Sequence, residues 1–328
     1  MRAIVISKAG PPGVLQLRDD VAAPVPAPHE IRVRVHAAAV NRADLLQREG
    51  RYPAPAGVPQ DIPGLEYAGT VDRVGEAADR WRQGDRVMGI IGGGGYAELV
   101  VTHQDEALHI PDGMGFSEAA AVPEAFITAH DALITRMRLI AGEALLIHAV
   151  GSGVGTAALQ LAHRIGARVL GTQRSRWKLD RAAALGLDVA IDARGISFAA
   201  EVRAATGGKG VDGVLDLVGG DYMNENVRAL AQQGRILLVG LVAGTRTELD
   251  MRAVLTKRAT IIGTVLRARP LEEKVEAARA FERDVLPLLE SGAVVPVVAE
   301  VLPLAQASRA HELLAGNATF GKVVLSVA

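Results

Sequence analysis

Cysteine is absent from the 328 residues, which excludes disulfides, thiolate metal sites and a cysteine nucleophile together. Any catalysis must come from other side chains. A charge excess is missing too. With a formal net charge of -1, nothing favours nucleic acid or an anionic membrane as a partner over the whole surface. Lysine is scarce beside arginine, a balance that reflects coding bias rather than function. No run matches the ~18 apolar residues of a membrane span, and "MRAIVISKAG" alternates like a strand instead of opening like a signal peptide. The expected location is the cytoplasm. The eight histidines show no H-x-x-x-H or H-E-x-x-H spacing, and His103 and His109 have no acidic companion set, so no metal site is expected. Neither solenoid repeats nor low-complexity tracts occur.

What is present is enough apolar material, 49% of the chain against 22% charged residues, for a large core split between two domains. Residues 1 to 122 read as β-rich. "RAIVIS", "EIRVRVHAAAV", "YAGTVDRVG", "DRVMGI" and "YAELVV" are short β-branched runs between Pro, Gly and Asp turns. From "EAFITAHDALITRM" onward, strands and helices alternate through "ALLIHA", "ARVLGT", "DVAIDA", "VDGVLDLVG", "RILLVG" and "ATIIGT". That alternation predicts a parallel sheet with helices on both faces. A long helix, "LEEKVEAARAFERDVLPLLESG", and the strands "VVPVVAEVLPL" and "GKVVLSV" close the chain. The expected organisation is discontinuous, with residues 1–122 and 265–328 forming one domain and 123–264 inserted as another.

In "LLIHAVGSGVGTAALQLA" an apolar run meets a glycine cluster that opens a helix. The G-x-G-x-x-G dinucleotide pattern is incomplete, because Val150 and Ser152 stand where glycines belong and only Gly155 falls into place. Gly151, Gly153 and Gly155 still allow backbone N–H groups near a ligand, and a helix N-terminus favours a pyrophosphate. The plainer alternative is that the glycines only let the helix lie close to its strand. A nucleophile elbow fails at Val150. An NAD site or an S-adenosylmethionine site needs a carboxylate after the second strand, about 20 residues on. Here that segment is "GTQRSRWK". Arg174, Ser175, Arg176 and Lys178 bring donors and positive charge with no acid before Asp180, which suits a 2′-phosphate and points to NADP(H). A solvated basic helix start is the alternative. A short-chain dehydrogenase mechanism is excluded, since Tyr222 and Tyr96 are followed four residues later by Asn226 and Val100 rather than lysine.

"NRADLLQREGRYP", "PGLEYAGTVDRVG", "GDRVMGI", "GGYAELVV", "AAAVPEAFITAHDAL", "GEALLIHAVGSGVGTAALQLA" and "GKVVLSV" together resemble the zinc-independent quinone oxidoreductases of the medium-chain dehydrogenase/reductase superfamily. The resemblance runs nearly end to end and is strongest to the p53-inducible quinone oxidoreductase and ζ-crystallin branch. It implies an α/β fold with a GroES-like β-rich domain and a Rossmann doubly wound parallel-sheet domain. Where zinc-dependent members carry Cys and His, this chain has Asn41 and Leu65, and Glu66 persists alone. The Lewis acid for alcohol oxidation is therefore not expected.

The implied activity is NADPH-dependent reduction of a quinone without zinc. A reductase of α,β-unsaturated carbonyls or enoyl thioesters would share the same residues. A rival from another class is an NADP-binding protein acting in RNA binding or as a structural protein, though the net charge disfavours RNA. By resemblance Asn41, Asp44 and Tyr52 line the cleft as catalytic candidates, with Tyr52 stacking on the acceptor and solvent supplying the proton. Asp44 could equally serve backbone N–H groups, and Tyr52 could merely fill its loop. The cofactor-binding set is Asn41, Thr128, Gly151, Ser152, Gly153, Val154, Gly155, Thr172, Arg174, Ser175, Lys178, Gly240, Leu241, Leu266 and Lys322. The family's phosphate-binding tyrosine is replaced by Ala193, for which Arg174 is the expected substitute. A homodimer paired along the edge strand "RATIIGT" is expected, with a small-molecule substrate as partner and no membrane.

Overall fold

A computed structural model describes residues 1–195 and 197–327. Contacts divide the chain into two compact units, one formed by Met1–Ile127 with Leu266–Ala328 and the other by Thr128–Val265.

The inserted unit holds a sheet of Ala144–Ile147, Arg168–Gln173, Val189–Asp192, Val211–Asp216, Leu230–Leu238 and Thr260–Gly263. Numbered along the unit, these strands lie in the order 3-2-1-4-5-6, all parallel. Leu145, Leu146, Ile147, Val169 and Leu170 are all fully buried, as required of strands covered on both faces. The strand order reverses between Ala144–Ile147 and Val211–Asp216, which makes the carboxyl ends of these strands the crevice where such sheets bind ligands. The first crossover helix, Gly153–Ile165, begins at Ser152 and ends at Gly166, whose φ of 88 stops it. Its small buried residues, Ala157, Ala158 and Ala162, let it lie close to the sheet. Helix Met251–Lys257, which buries no residue, is not apparent from apolar spacing for that reason.

The terminal unit is built on an open sheet in which Val298–Pro303, Lys322–Ser326, Glu30–Ala39, Glu66–Val74, Arg86–Ile90 and Ala107–His109 are neighbours in that order. Strand Glu30–Ala39 changes partners along its length. Residues 30–34 pair with Leu99–His103, and residues 37–39 pair antiparallel with Lys322–Ser326. Both ends of the chain thus share one sheet. Its core is apolar and β-branched: Val33, Val35, Val87, Val323 and Leu325, with the rings of Tyr67 and Tyr96. The single long helix read from 271 onward is broken into Leu271–Asp284 and Leu286–Glu290. Pro287 explains the break, because it lacks an N–H and its ring crowds the carbonyl four residues back.

Candidate functional site

In the inserted unit most of the expected cofactor residues lie at or just beyond the carboxyl ends of the strands, whereas Thr128 opens helix Thr128–His130 and Lys178 lies within helix Arg176–Ala183. After the first strand Ala149 takes a φ of 48, in the left-handed region. Ser152 caps the helix, its hydroxyl accepting from the Gly155 N–H at 3.1 Å. A Cβ on Gly155 would lie 2.5 Å from the Ala149 carbonyl oxygen, so close helix packing alone demands glycine there. Gly153 and Val154 are partly exposed in the first turn, where N–H groups lack intrahelical partners and attract an anion.

After the second strand the basic segment divides. Arg174 is exposed and, among the described residues, has neither a hydrogen-bond partner nor an ion-pair partner. Its charge acts on the phenol of Tyr222, opposing the burial that raises that group's pKa. Arg176 is engaged by Asp180 at 2.9 Å. Lys178 is only 3% exposed and sets its ammonium 5.4 Å from the Trp177 ring centroid. Ser175 is partly exposed and makes no capping bond at the start of helix Arg176–Ala183.

Thr172 is tied into a buried chain. The ring nitrogens of His148 meet Thr172 Oγ1 at 2.7 Å and Asn226 Oδ1 at 2.6 Å. Asn226 Nδ2 donates to Asp216 Oδ2 at 2.9 Å, and Asp216 Oδ1 accepts from the N–H groups of Val218 and Gly219. Burial holds the His148 pKa down, so the ring is neutral, and the carbonyl oxygen it faces on Asn226 assigns its proton to Nε2. This chain fixes the ends of strands one, two and four. Gly240 donates its N–H to the Asp216 carbonyl oxygen at 3.2 Å, Leu241 is 47% exposed, and Thr128 is buried.

In the terminal unit a second cluster forms around helix Arg42–Arg48. Asn41 precedes it and donates its N–H to Asp44 Oδ2 at 2.8 Å, while the Asp44 N–H donates back to the Asn41 carbonyl oxygen. Asp44 is wholly buried. Its Oδ1 accepts from the Gly64 N–H and its Oδ2 also from the Tyr96 hydroxyl, both at 3.0 Å. Burial pushes this carboxyl up to about 6, with those hydrogen bonds pulling it down. Asp44 therefore serves the backbone and fixes the position of Asn41.

The Asn41 side chain is held from both ends. Its Nδ2 donates to Glu66 Oε1 at 2.8 Å and its Oδ1 accepts from Lys322 Nζ at 2.5 Å. Lys322 also donates to Glu66 Oε1 at 2.7 Å and to the Val40 carbonyl oxygen at 3.3 Å, which uses all three of its donors. Tyr52 is partly exposed, with the Arg267 guanidinium 5.1 Å from its ring centroid. Burial raises its phenol pKa, so the hydroxyl stays protonated at neutral pH. Arg267 donates to the Gly92 carbonyl oxygen at 2.7 Å, to that of Tyr52 at 3.3 Å and to Gln47 Oε1 at 2.5 Å. Leu266, just before it, is buried.

Residues 27–112 match the alcohol dehydrogenase GroES-like domain, and residues 153–283 match the zinc-binding dehydrogenase family. A quinone oxidoreductase of Pseudomonas aeruginosa is 34% identical over 325 residues, 99% of each chain. The chain belongs to the quinone oxidoreductase family of the medium-chain dehydrogenase/reductase superfamily. Among solved structures, a mycobacterial protein complexed with NADPH is similar at a TM-score of 0.89 and 30% identity, covering 100% of both chains. An enoyl reductase is similar at 0.87 and 27%, covering 100% of this chain and 99% of the other. This medium-chain oxidoreductase accordingly has the α/β fold expected of it, a GroES-like domain with a Rossmann-type parallel sheet.

Four residues that stand in its two clusters escape the sequence reading. His148 reads as one of eight unpaired histidines, although it opens the glycine turn. Tyr222 carries no sequence signal beyond its lack of a lysine four residues on. Arg267 carries no local signal at all. Glu124 does have one, an acid isolated in "AAAVPEAFITA".

Proposed function

We propose that this oxidoreductase is an NADPH-dependent quinone reductase that works without zinc. The observation that carries the reading is the buried Lys322 ammonium on Glu66 and Asn41. Positive charge at this polar centre comes from a side chain, and Leu65 beside it is core, 1% exposed. Among the described residues no group of three His, Cys, Asp or Glu is placed to hold a metal. The quinone oxidoreductase of Pseudomonas aeruginosa supports the acceptor class, and the NADPH-bound mycobacterial neighbour supports the cofactor.

The residues fit a nicotinamide dinucleotide. Gly151 to Gly155 and the helix N-terminus would receive the pyrophosphate, with Ser152 already committed to its cap. Arg174 and Ser175 would hold the 2′-phosphate, and Tyr222 lies within reach of the same charge. Thr172 and Gly240 set the strand ends, Leu241 offers apolar cover, and Thr128 would serve the nicotinamide end. Such a cofactor supplies hydride to an electrophilic acceptor whose negative charge is delocalised into a carbonyl oxygen. The chain then has to orient, and orientation contributes much of the rate. Asn41, locked by Lys322, Glu66 and Asp44, offers a fixed amide wall, and Tyr52 a ring on which a flat acceptor stacks.

Turnover with 1,4-benzoquinone, 1,2-naphthoquinone, 2-alkenals and crotonyl-CoA, using NADPH and NADH in parallel and with and without EDTA, tests this reading. Quinones with NADPH should give the highest kcat/KM, unchanged by chelator. A tenfold preference for enals or the thioester would instead establish the second reading, an enone or enoyl reductase, which the enoyl reductase neighbour favours. Tyr52→Phe is expected to keep most of the quinone turnover, whereas Tyr52→Ala should raise KM about tenfold, the size of a lost aromatic stacking contact. Equal losses of about 10²-fold in both would make the hydroxyl itself the active group.

A further inference from the structure

One acidic group in the Asn41 cluster is left without a task. Glu124 lies in the π-helical turn Pro123–Ile127, and its N–H donates to Glu66 Oε2 at 2.8 Å. Its carboxyl makes no hydrogen bond or ion pair among the described residues, and the residue as a whole is partly exposed. The other acids here are engaged. Asp44 has both oxygens occupied, and Glu66 accepts from Asn41, Lys322 and the Glu124 N–H. The groups whose charges reach Glu124 come from every side of the cluster: Glu66, Lys322, Asp44 on its helix, and Arg267, with the Tyr52 phenol also feeling its charge.

Resting on the quinone-reductase reading, we propose that Glu124 is the proton donor of this site, protonating the carbonyl oxygen of an acceptor held against Tyr52. A bound nicotinamide would supply the hydride to the acceptor and be oxidised in doing so. The displaced π pair moves to the carbonyl oxygen. The Glu124 O–H bond breaks as the new O–H bond forms, and the carboxylate left behind recovers its proton from water. With the hydride on a ring carbon conjugated to that carbonyl, one hydride and one proton give the keto tautomer of the hydroquinone, and loss of a ring proton with protonation of the second oxygen completes the hydroquinone without further electrons, so the step balances. Protonation of Glu124 before each turnover is favoured by its surroundings. Burial, then the adjacent Glu66, push its carboxyl up to about 8, against Lys322 and Arg267. A neutral acid at pH 7 is what the role requires.

The test compares wild type with Glu124→Gln, which keeps the shape and removes the acid. For wild type, kcat/KM with 1,4-benzoquinone and NADPH should be level near pH 7 and fall about tenfold per unit above about 8. The variant should lose about 10²-fold in kcat with little change in KM, and its profile should lose that fall. Melting temperature gives a readout apart from turnover. A carboxyl raised in the folded state contributes stability that is complete below its unfolded pKa, about 4.3, and lost as pH rises through about 8. Wild type should therefore lose stability relative to Glu124→Gln between about pH 5 and 9. Glu124→Asp, which keeps an acid on a shorter arm, should be slowed yet retain the pH fall, so misfolding of the Gln variant would not shield the idea. Full turnover with an unaltered pH profile in the Gln variant, or, where the Gln variant is unfolded, an active Asp variant that has lost the pH fall, overturns the donor role and leaves the quinone reading standing. A wild type that turns over none of the panel with NADPH overturns that reading, and the donor role with it.

Discussion

Lys322→Ala is expected to destabilise the terminal unit by about 3 to 5 kcal/mol, the usual cost of leaving one partner of a buried ion pair alone. Glu66 is wholly buried and Lys322 is 5% exposed. The truncation strands a carboxylate in the interior and removes the donor from Asn41 Oδ1 and the Val40 carbonyl oxygen. Removing both charges should cost far less, because the penalty comes from the uncompensated carboxylate and not from loss of attraction. Lys322→Met combined with Glu66→Gln is thus expected to recover more than half the loss. Urea unfolding followed by a probe in the terminal unit, such as Trp81 fluorescence, would show the midpoint fall with little change in slope. A loss below about 1 kcal/mol in Lys322→Ala would mean that solvent reaches Glu66, and the ammonium would lose its place at the centre of the site.

That cluster was legible only in part. Asn41 and Glu66 stand out in quoted motifs, and Lys322 opens "GKVVLSV", but no spacing says that residues 41, 66 and 322 meet. Strand pairing brings them together, and pairing over 281 residues, as between Asn41 and Lys322, leaves no local trace. The parallel sheet was readable because fully covered strands are continuous apolar runs. The strands Leu15–Arg18 and Ala107–His109, of four and three residues, are too short to establish a period of two. Arg267 was invisible for another reason. Its role is to satisfy carbonyl oxygens and cover a ring, and any arginine reads alike until its neighbours are known.

Cofactor choice should respond as sharply as stability. Arg174→Ala is expected to weaken NADPH binding by about 10- to 150-fold, the loss of one charge-assisted hydrogen bond at about 1.5 to 3 kcal/mol, while NADH should scarcely notice. Arg174→Glu should cost NADPH more, since it sets like charges together, and it offers an acceptor to the ribose hydroxyls of NADH. Because Arg174 is exposed, its contribution should shrink with ionic strength, as screening over a Debye length of about 8 to 10 Å requires. Lys178 is expected to matter less than Arg174, since its ammonium is turned into the protein against Trp177. Titration of both cofactors by nicotinamide fluorescence at two salt concentrations checks all of this. A wild type that prefers NADH, or equal losses for both cofactors in Arg174→Ala, would reduce the basic segment to a solvated helix start.

The pairing of Lys322–Ser326 with residues 37–39 also sets a timetable. A chain is made from one end at about 5 to 20 residues per second, and domains fold as units as they emerge. Residues 128–265 can complete their parallel sheet while strand Glu30–Ala39 still lacks one neighbour. For that interval Glu66 has no ammonium to meet it, and the edge it will share with residues 322–326 stays open to any other strand. The inserted unit is finished before the unit that encloses it in sequence. A ribosome that stalls between residues 266 and 321 would therefore release a polypeptide with a folded nucleotide-type sheet and an unclosed, aggregation-prone partner.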